Sequence, residues 1–278
     1  MNRKTLEKKL LQMVDEDAGK GDITSELVPN KTVRAKIIAK EDCYISGVSE
    51  LKILFSLFNI NVLSSAKDGQ AVKDGKIIFS LSGRAHDILL VERTALNILS
   101  RMSGVTSLTK AFVSKALRGN PKVRVAATRK TTPLFGSFEK KAVEVGGGDP
   151  HRSGLYDMVL IKNNHLKLFK NVRDAVKKAR SVSAYHKVEI EVGTSADAVA
   201  AAEAGADIVM LDNMTALDAK RTIAKLSEKK LRKKILVEVS GGITLGNISE
   251  YASCGPDLIS VGGLTHSAAS ADFALRIV

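Results

Sequence analysis

The chain has 278 residues, 44% of them hydrophobic and 26% charged, with 43 Lys and Arg against 30 Asp and Glu and a formal charge of +13. That length fits one large domain or two of medium size, either with a substantial core. No run reaches the roughly 20 apolar residues that cross a bilayer, and aromatics at 4% with no Trp leave few stacking platforms for single-stranded nucleic acid, so neither a membrane nor a nucleic acid is an expected partner.

The charge is uneven. Residues 1–100 hold 15 basic and 13 acidic side chains, while 101–278 hold 28 and 17. A basic second half implies small anionic partners, although the Lys and Arg runs at 177–178, 229–230 and 232–234 read as solvated helix faces. Cys43 and Cys254 are too few and too distant for a disulfide framework or a zinc site, and a reducing compartment fits. The charged, amphipathic start lacks the apolar segment of a secretory signal, which leads to an expected cytoplasmic location.

In chain order, residues 4–17 have helical spacing. Strand-like runs follow at 33–40, 42–47 and 76–83, with a helix-like run at 49–60 and turn chemistry at Asp68-Gly69 and Asp74-Gly75. No lysine stands at a tight hairpin tip, so this small α+β region reads as a structural sheet and not a lipoyl carrier. Residues 86–116 form a long helical pattern, expected to break near Ser103-Gly104. From about residue 120 the rhythm changes. Near-continuous Val/Ile/Leu runs at 123–128, 158–162, 187–192, 207–212, 235–241 and 257–263 alternate with helical segments such as 166–182 and 195–206. That alternation predicts a parallel sheet covered by helices, closed as a β/α barrel.

Barrel chemistry gathers at the C-terminal strand ends. Here those ends carry Arg129-Lys130, Lys162, Glu191, Asp212, Ser240-Gly241-Gly242 and Gly262-Gly263. The two Gly-rich turns read as leading into helices, where free N–H groups hold a phosphate. Glu191 and Asp212 suit Mg²⁺, directly or through water, or sugar hydroxyls; ion pairs with nearby lysines are the competing reading. Arg129, Lys130, His151, Arg152 and Lys162 converge on one mouth, where like charges need an anion to relieve them, and arginine forks favour carboxylates. The pocket therefore reads as built for a phosphorylated sugar and a carboxylate-bearing molecule. His86, His165 and His186 read as surface or structural residues, and Tyr156 and Asp157 as shaping the turn into a strand.

The motifs "ATRKTTP" (127–133), "EKKAVEVGGG" (139–148), "HRSGLYDMVLIKNNH" (151–165), "EIEV" (189–192), "VMLDN" (209–213), "EVSGGI" (238–243) and "ISVGGLTHS" (259–267) resemble the quinolinate phosphoribosyltransferase family. So do "GDITSELV" (21–28) and "VERTALNILSRMSG" (91–104), in the same order and spacing. The resemblance implies an N-terminal α/β sandwich domain over 1–104, rejoined by 267–278, and an incomplete β/α (TIM-like) barrel over 105–266. It also implies a homodimer or higher homo-oligomer with shared active sites. The implied reaction takes quinolinate and phosphoribosyl pyrophosphate, with Mg²⁺, to nicotinate mononucleotide, pyrophosphate and CO₂.

By matching motif positions, the resemblance gives Arg129, His151, Arg152 and Lys162 the quinolinate carboxylates, joined by Arg93 of another subunit. Lys130 meets the pyrophosphate side, Glu191 and Asp212 the ribose hydroxyls and the magnesium shell. Ser240, Gly241, Gly262 and His266 cradle the 5-phosphate. Some positions depart from the family pattern: Ala127 and Pro150 replace an Asp and an Asn, Asn163 replaces an Asp, and Leu134-Phe135-Gly136 replace Gly-Leu-Arg. They leave the gripping cations in place but alter the hydrogen bonding behind them, and so bear on substrate selectivity. The alternatives are a phosphoribosyltransferase for nicotinate or another aromatic carboxylate, a Schiff-base lyase using Lys130 or Lys162, and a basic nucleic-acid binder.

Overall fold

The computed structural model describes all 278 residues. In chain order its first elements are α1 (Arg3–Ala18), β1 (Thr32–Ala39), β2 (Cys43–Tyr44), α2 (Val48–Leu57), β3 (Asn61–Ser65), β4 (Ala71–Val72), β5 (Ile77–Arg84) and α3 (Ala85–Gly119). Then come β6 (Arg124–Ala126), α4 (Gly136–Val145), β7 (Val159–Ile161), α5 (Asn163–Leu166), α6 (Val172–Arg180), β8 (Val188–Val192) and α7 (Ser195–Glu203). The last are β9 (Ile208–Asp212), α8 (Ala216–Glu228), β10 (Leu236–Ser240), α9 (Ile248–Ser253), β11 (Leu258–Ser260), α10 (Gly263–His266) and β12 (Phe273–Ile277). The chain divides into two compact units. One comprises Met1–Leu108, Pro133–Gly146 and Ala268–Val278; the other comprises Thr109–Thr132 and Gly147–Ser267.

The first unit is built on a four-stranded sheet in the order β12-β1-β5-β3. Strand β1 sits inside it because Ala35, Ile37 and Ala39 alternate onto one buried face, the period of two that a half-buried strand needs. α1 buries Leu6, Leu10 and Val14 at four-residue spacing, and the Asn2 side chain caps it by accepting the Thr5 N–H at 2.9 Å. β12 pairs antiparallel with β1, Ala35 opposite Ile277, so the last residues return to the first sheet.

Two features of this unit differ from the sequence reading. α3 runs unbroken through Ser103-Gly104. The glycine is there for contact: a Cβ on Gly104 would overlap the Ala269 carbonyl oxygen, so only a bare backbone lets the returning segment approach. The second difference is that Pro133–Gly146, including α4, groups with the first unit and not with the barrel strands around it. Ion pairs hold it there, Lys141 to Glu50 at 2.5 Å and Arg101 to the fully buried Glu139 at 2.8 Å.

The second unit is a six-stranded parallel sheet in the order β6-β11-β10-β9-β8-β7, covered by helices, the arrangement of an incomplete β/α barrel. On its outer face Val188, Ile190 and Val192 of β8, Val209 and Leu211 of β9, and Val237 and Val239 of β10 pack with Ala175, Val176, Ala198, Ala201 and Ile223 of the helices. Each such Val, Ile or Leu contributes about 1.5–3 kcal/mol when fully buried. The helices begin where the chain supplies caps: Asn171, Thr194 and Thr215 each accept an N–H three residues on. Alternation then puts Glu189 and Glu191, Asp212, and Glu238 and Ser240 on the opposite, inner face. Beyond β6, Asp149 extends the sheet. Its N–H donates to Val125 O at 2.8 Å, and its carbonyl accepts the Ala127 N–H at 2.8 Å. No helix is long and apolar enough to cross a membrane.

Candidate active site at the barrel rim

The inner face and its rim carry the charged side chains. At the end of β7, Lys162 Nζ lies 2.9 Å from Glu191 Oε2 of β8, with Glu191 nearly buried and Lys162 half exposed. Next along the sheet, the Asp212 carboxyl is raised above its usual range by burial and by the Glu191 charge. A hydrogen bond from Asn213 Nδ2 at 2.8 Å and the charges of Lys162 and Lys130 oppose that rise. Lys130, Lys162, Glu191 and Asp212 thus form one electrostatic group.

Arg129 and Lys130 leave β6 in a tight turn. The Thr128 hydroxyl accepts the Lys130 N–H at 3.1 Å, and the Thr265 hydroxyl donates to Lys130 O at 2.7 Å. Arg152 is buried, and its guanidinium donates to the Met158 carbonyl at 3.4 Å. Burial first, then the neighbouring Arg129 charge, pull its pKa below the ordinary arginine value, while Glu189 and Asp157 offset them. The Arg129 charge acting on a buried guanidinium makes a further anion welcome there.

The Gly-rich turns after β10 and β11 differ from each other. Gly241 and Gly242 have φ of 94° and 63°, left-handed values that favour glycine. A Cβ on Gly241 would also overlap the Asn213 carboxamide. The turn was expected to lead straight into a helix, yet α9 begins only at Ile248. Asn247 organises the loop instead, donating to Gly242 O at 3.0 Å and accepting the Thr244 N–H at 2.8 Å. The reason is conformational: two consecutive left-handed residues cannot open a right-handed helix. Gly262, by contrast, directly precedes α10, and a Cβ there would stand 3.1 Å from both His266 Nε2 and Lys130 Cδ.

The second unit therefore brings together Arg129, Lys130, Arg152, Lys162, Glu191, Asp212, Ser240, Gly241, Gly262 and His266 along its rim. Arg93 lies on α3 in the first unit, with an exposed side chain. His151 faces the same inner side of the sheet: its Nε2 lies 3.4 Å from Glu238 Oε2 and 3.6 Å from Glu189 Oε2. These two glutamates are fully buried. Burial, and then Glu238 beside it, push the Glu189 carboxyl up to about 8, against the charges of His151, Arg152 and Lys162. Sequence reasoning missed Glu189, Glu238 and Asn213. The signal for the two glutamates was available, since a carboxylate in the middle of an otherwise apolar parallel strand must face the barrel interior. His165, taken as structural, accepts the Lys162 N–H at its Nδ1 at 2.9 Å and fixes the start of α5.

Comparison with known proteins adds a family. Residues 22–103 match the family described as quinolinate phosphoribosyl transferase, N-terminal domain, and residues 105–276 match its C-terminal domain. The probable nicotinate-nucleotide pyrophosphorylase [carboxylating] of Archaeoglobus fulgidus is 46% identical over 258 residues, covering 93% of this chain and 98% of that protein. Its namesake in Methanothermobacter thermautotrophicus is 43% identical over 269 residues, 96% of each chain. Among solved structures, the nicotinate-nucleotide pyrophosphorylase of Francisella tularensis superposes with a TM-score of 0.93 at 32% identity, over 100% of this chain and 98% of that one.

Proposed function

The chain belongs to the quinolinate phosphoribosyltransferase family, and from that premise we propose how its barrel rim carries out the reaction. The activity is that of a carboxylating nicotinate-nucleotide pyrophosphorylase in NAD biosynthesis, with quinolinate and phosphoribosyl pyrophosphate as substrates. In our reading Arg129, Arg152 and Lys162 take the quinolinate carboxylates, with Arg93 of a second copy completing the grip in a homodimer or larger assembly. Lys130 faces the pyrophosphate. Ser240, Gly241, Gly262 and His266 surround the 5-phosphate, and Glu191 and Asp212 face the ribose. A cytoplasmic location goes with this reading.

The observation that carries it is Arg152, a buried cation beside a second guanidinium. An aromatic dicarboxylate supplies the two anionic forks that such a pair accepts. A monocarboxylate such as nicotinate would leave part of the charge unneutralised.

Loss of pyrophosphate develops positive charge on the ribose ring, and in this reading the Glu191 and Asp212 carboxylates stabilise it. The quinolinate nitrogen already has its lone pair, so holding the ring in line matters more than a general base. After the nitrogen bonds to C1 of the ribose, the pyridinium next to the 2-carboxylate draws electrons. The carboxylate leaves as CO₂, its bonding pair stays on the ring carbon, and a proton from water replaces it. Magnesium fits the carboxylate set, since Asp212 is raised partly by the Glu191 charge and an added cation relieves that repulsion; when bound, it neutralises pyrophosphate charge.

The test is direct. Purified protein with quinolinate, phosphoribosyl pyrophosphate and Mg²⁺ should release CO₂ and form nicotinate mononucleotide, while nicotinate in place of quinolinate should turn over poorly. Equal turnover of nicotinate would remove the argument from paired cations.

A further inference from the structure

His151 stands in an unusual conformation. Its φ is 56°, a left-handed value that a non-glycine residue holds only under constraint from its surroundings. The fold fixes it from three sides. The His151 N–H donates to Asp149 Oδ1 at 2.7 Å. Its ring Nδ1 accepts the Arg152 N–H at 2.8 Å, which leaves the ring proton on Nε2. Nε2 faces Glu238 Oε2 and Glu189 Oε2 at 3.4 and 3.6 Å.

The two glutamates are equally unusual. Neither side chain is exposed, and none of their four oxygens has a hydrogen-bond partner. Buried carboxyls without partners oppose folding, and apolar residues of similar size would be more comfortable there. What the pair does contact is the imidazole, and the imidazole holds the main chain of Arg152. A metal ion is the poorer occupant of this cluster, because Nδ1 is taken by the Arg152 N–H and Nε2 carries the ring proton, so the neutral imidazole has no free lone pair to offer.

We propose that His151 is a positioning residue, a strut between the buried Glu189–Glu238 pair and the Arg152 main chain, which sets where the Arg152 guanidinium meets the substrate's carboxylates. This rests on the function proposed above. The two glutamates never touch substrate. They fix affinity for the acid by aiming one arginine, and they have no part in holding the phosphoribosyl group.

Two variants separate this from a structural role. Glu238→Leu removes one of the two repelling carboxyls, so its melting temperature should stay level or rise. Its quinolinate KM should nevertheless rise about tenfold or more, with kcat and the phosphoribosyl pyrophosphate KM within about threefold of the parent. Glu238→Gln keeps an acceptor for Nε2 and should restore most of the affinity. His151→Asn tolerates the left-handed backbone, so it should fold, and it should reproduce the selective KM effect if Glu238→Leu does not fold. Adding Arg152→Ala to Glu238→Leu should cost less than the two separate losses combined, because both act through one guanidinium.

Several results would overturn the strut. One is an unchanged quinolinate KM in both His151→Asn and Glu238→Leu. Others are an equal rise in both KM values, full additivity with Arg152→Ala, or stoichiometric Mn²⁺ binding lost in Glu238→Leu. A parent protein that fails to convert quinolinate at all would instead remove the underlying functional reading.

Discussion

Lys162 and Glu191 close an ion pair of 2.9 Å between the ends of neighbouring strands. A dicarboxylate that engages Lys162 has to take it from Glu191, so the net gain from this lysine is smaller than from a cation with no such partner. Arg152, pulled down in pKa by burial and by Arg129, gains more from an arriving anion. Arg152→Ala should therefore raise the quinolinate KM further than Lys162→Ala does, by about tenfold or more between the two. Steady-state kinetics of both variants decide it, and the reverse order would show that the lysine pair is not what limits its contribution.

Glu191→Gln should act differently from either cation. Removing the carboxylate takes away charge beside the ribose and frees Lys162. kcat should fall by about a hundredfold, while the quinolinate KM should fall, because Lys162 no longer has to leave a charged partner. A loss confined to KM would place Glu191 in binding only.

At Gly241, space and backbone both refuse a side chain: φ is 94° and a Cβ would overlap Asn213. Gly241→Ala should displace the Ser240–Asn247 loop and weaken phosphoribosyl pyrophosphate binding, with a stability loss of about 1–3 kcal/mol. Gly242→Ala, with φ of 63° but open space around it, should cost less. Isothermal titration with phosphoribosyl pyrophosphate and thermal melts of both variants would show whether the order holds.

Gly104 provides a reversal of an ordinary rule. In an exposed helix interior, Gly→Ala stabilises by about 1 kcal/mol. Within α3 the added methyl would overlap the Ala269 carbonyl, so Gly104→Ala should lower the melting temperature and loosen the β12 segment, as amide hydrogen exchange over Phe273–Ile277 would report. A more stable variant would mean that the returning segment yields freely.

A shared site predicts complementation. Subunits carrying Arg93→Ala, mixed and reassociated with subunits carrying Lys162→Ala, should recover part of the parent activity, because some hybrid sites contain neither change. If the mixture stays as inactive as its components, each site draws its arginine from its own chain.

The thiols give a pH-dependent expectation. Burial, then the charges of Glu41 and Asp42, push Cys43 up to about 11; burial and Glu250 raise Cys254 as well. The thiolate is the reactive form, so alkylation of native protein at pH 7 should be slow at both positions. For Cys43 it should keep accelerating about tenfold per pH unit toward 11 for as long as the protein stays folded. Rapid labelling of Cys43 at neutral pH would contradict its buried setting.

Much of this molecule was legible in its amino-acid order because its information is local. Apolar runs of five or six residues alternating with capped helices dictate a parallel sheet with helical cover. Strand polarity then fixes the end at which Arg129, Lys162, Glu191 and Asp212 emerge. What the order of residues could not supply were relationships between segments far apart in sequence. Gly104 looked like a helix break until Ala269, distant along the chain, was seen against it. The segment holding α4 lies between barrel strands in sequence, yet Glu50, Arg101 and Lys9 hold it in the other unit. The ring of His151 against Glu189 and Glu238, and its Nδ1 against the Arg152 N–H, are contacts that only the folded barrel makes. Local propensity and alternation set which face a side chain occupies; which other side chains meet it there depends on packing and charge, and these act only once the strands have paired.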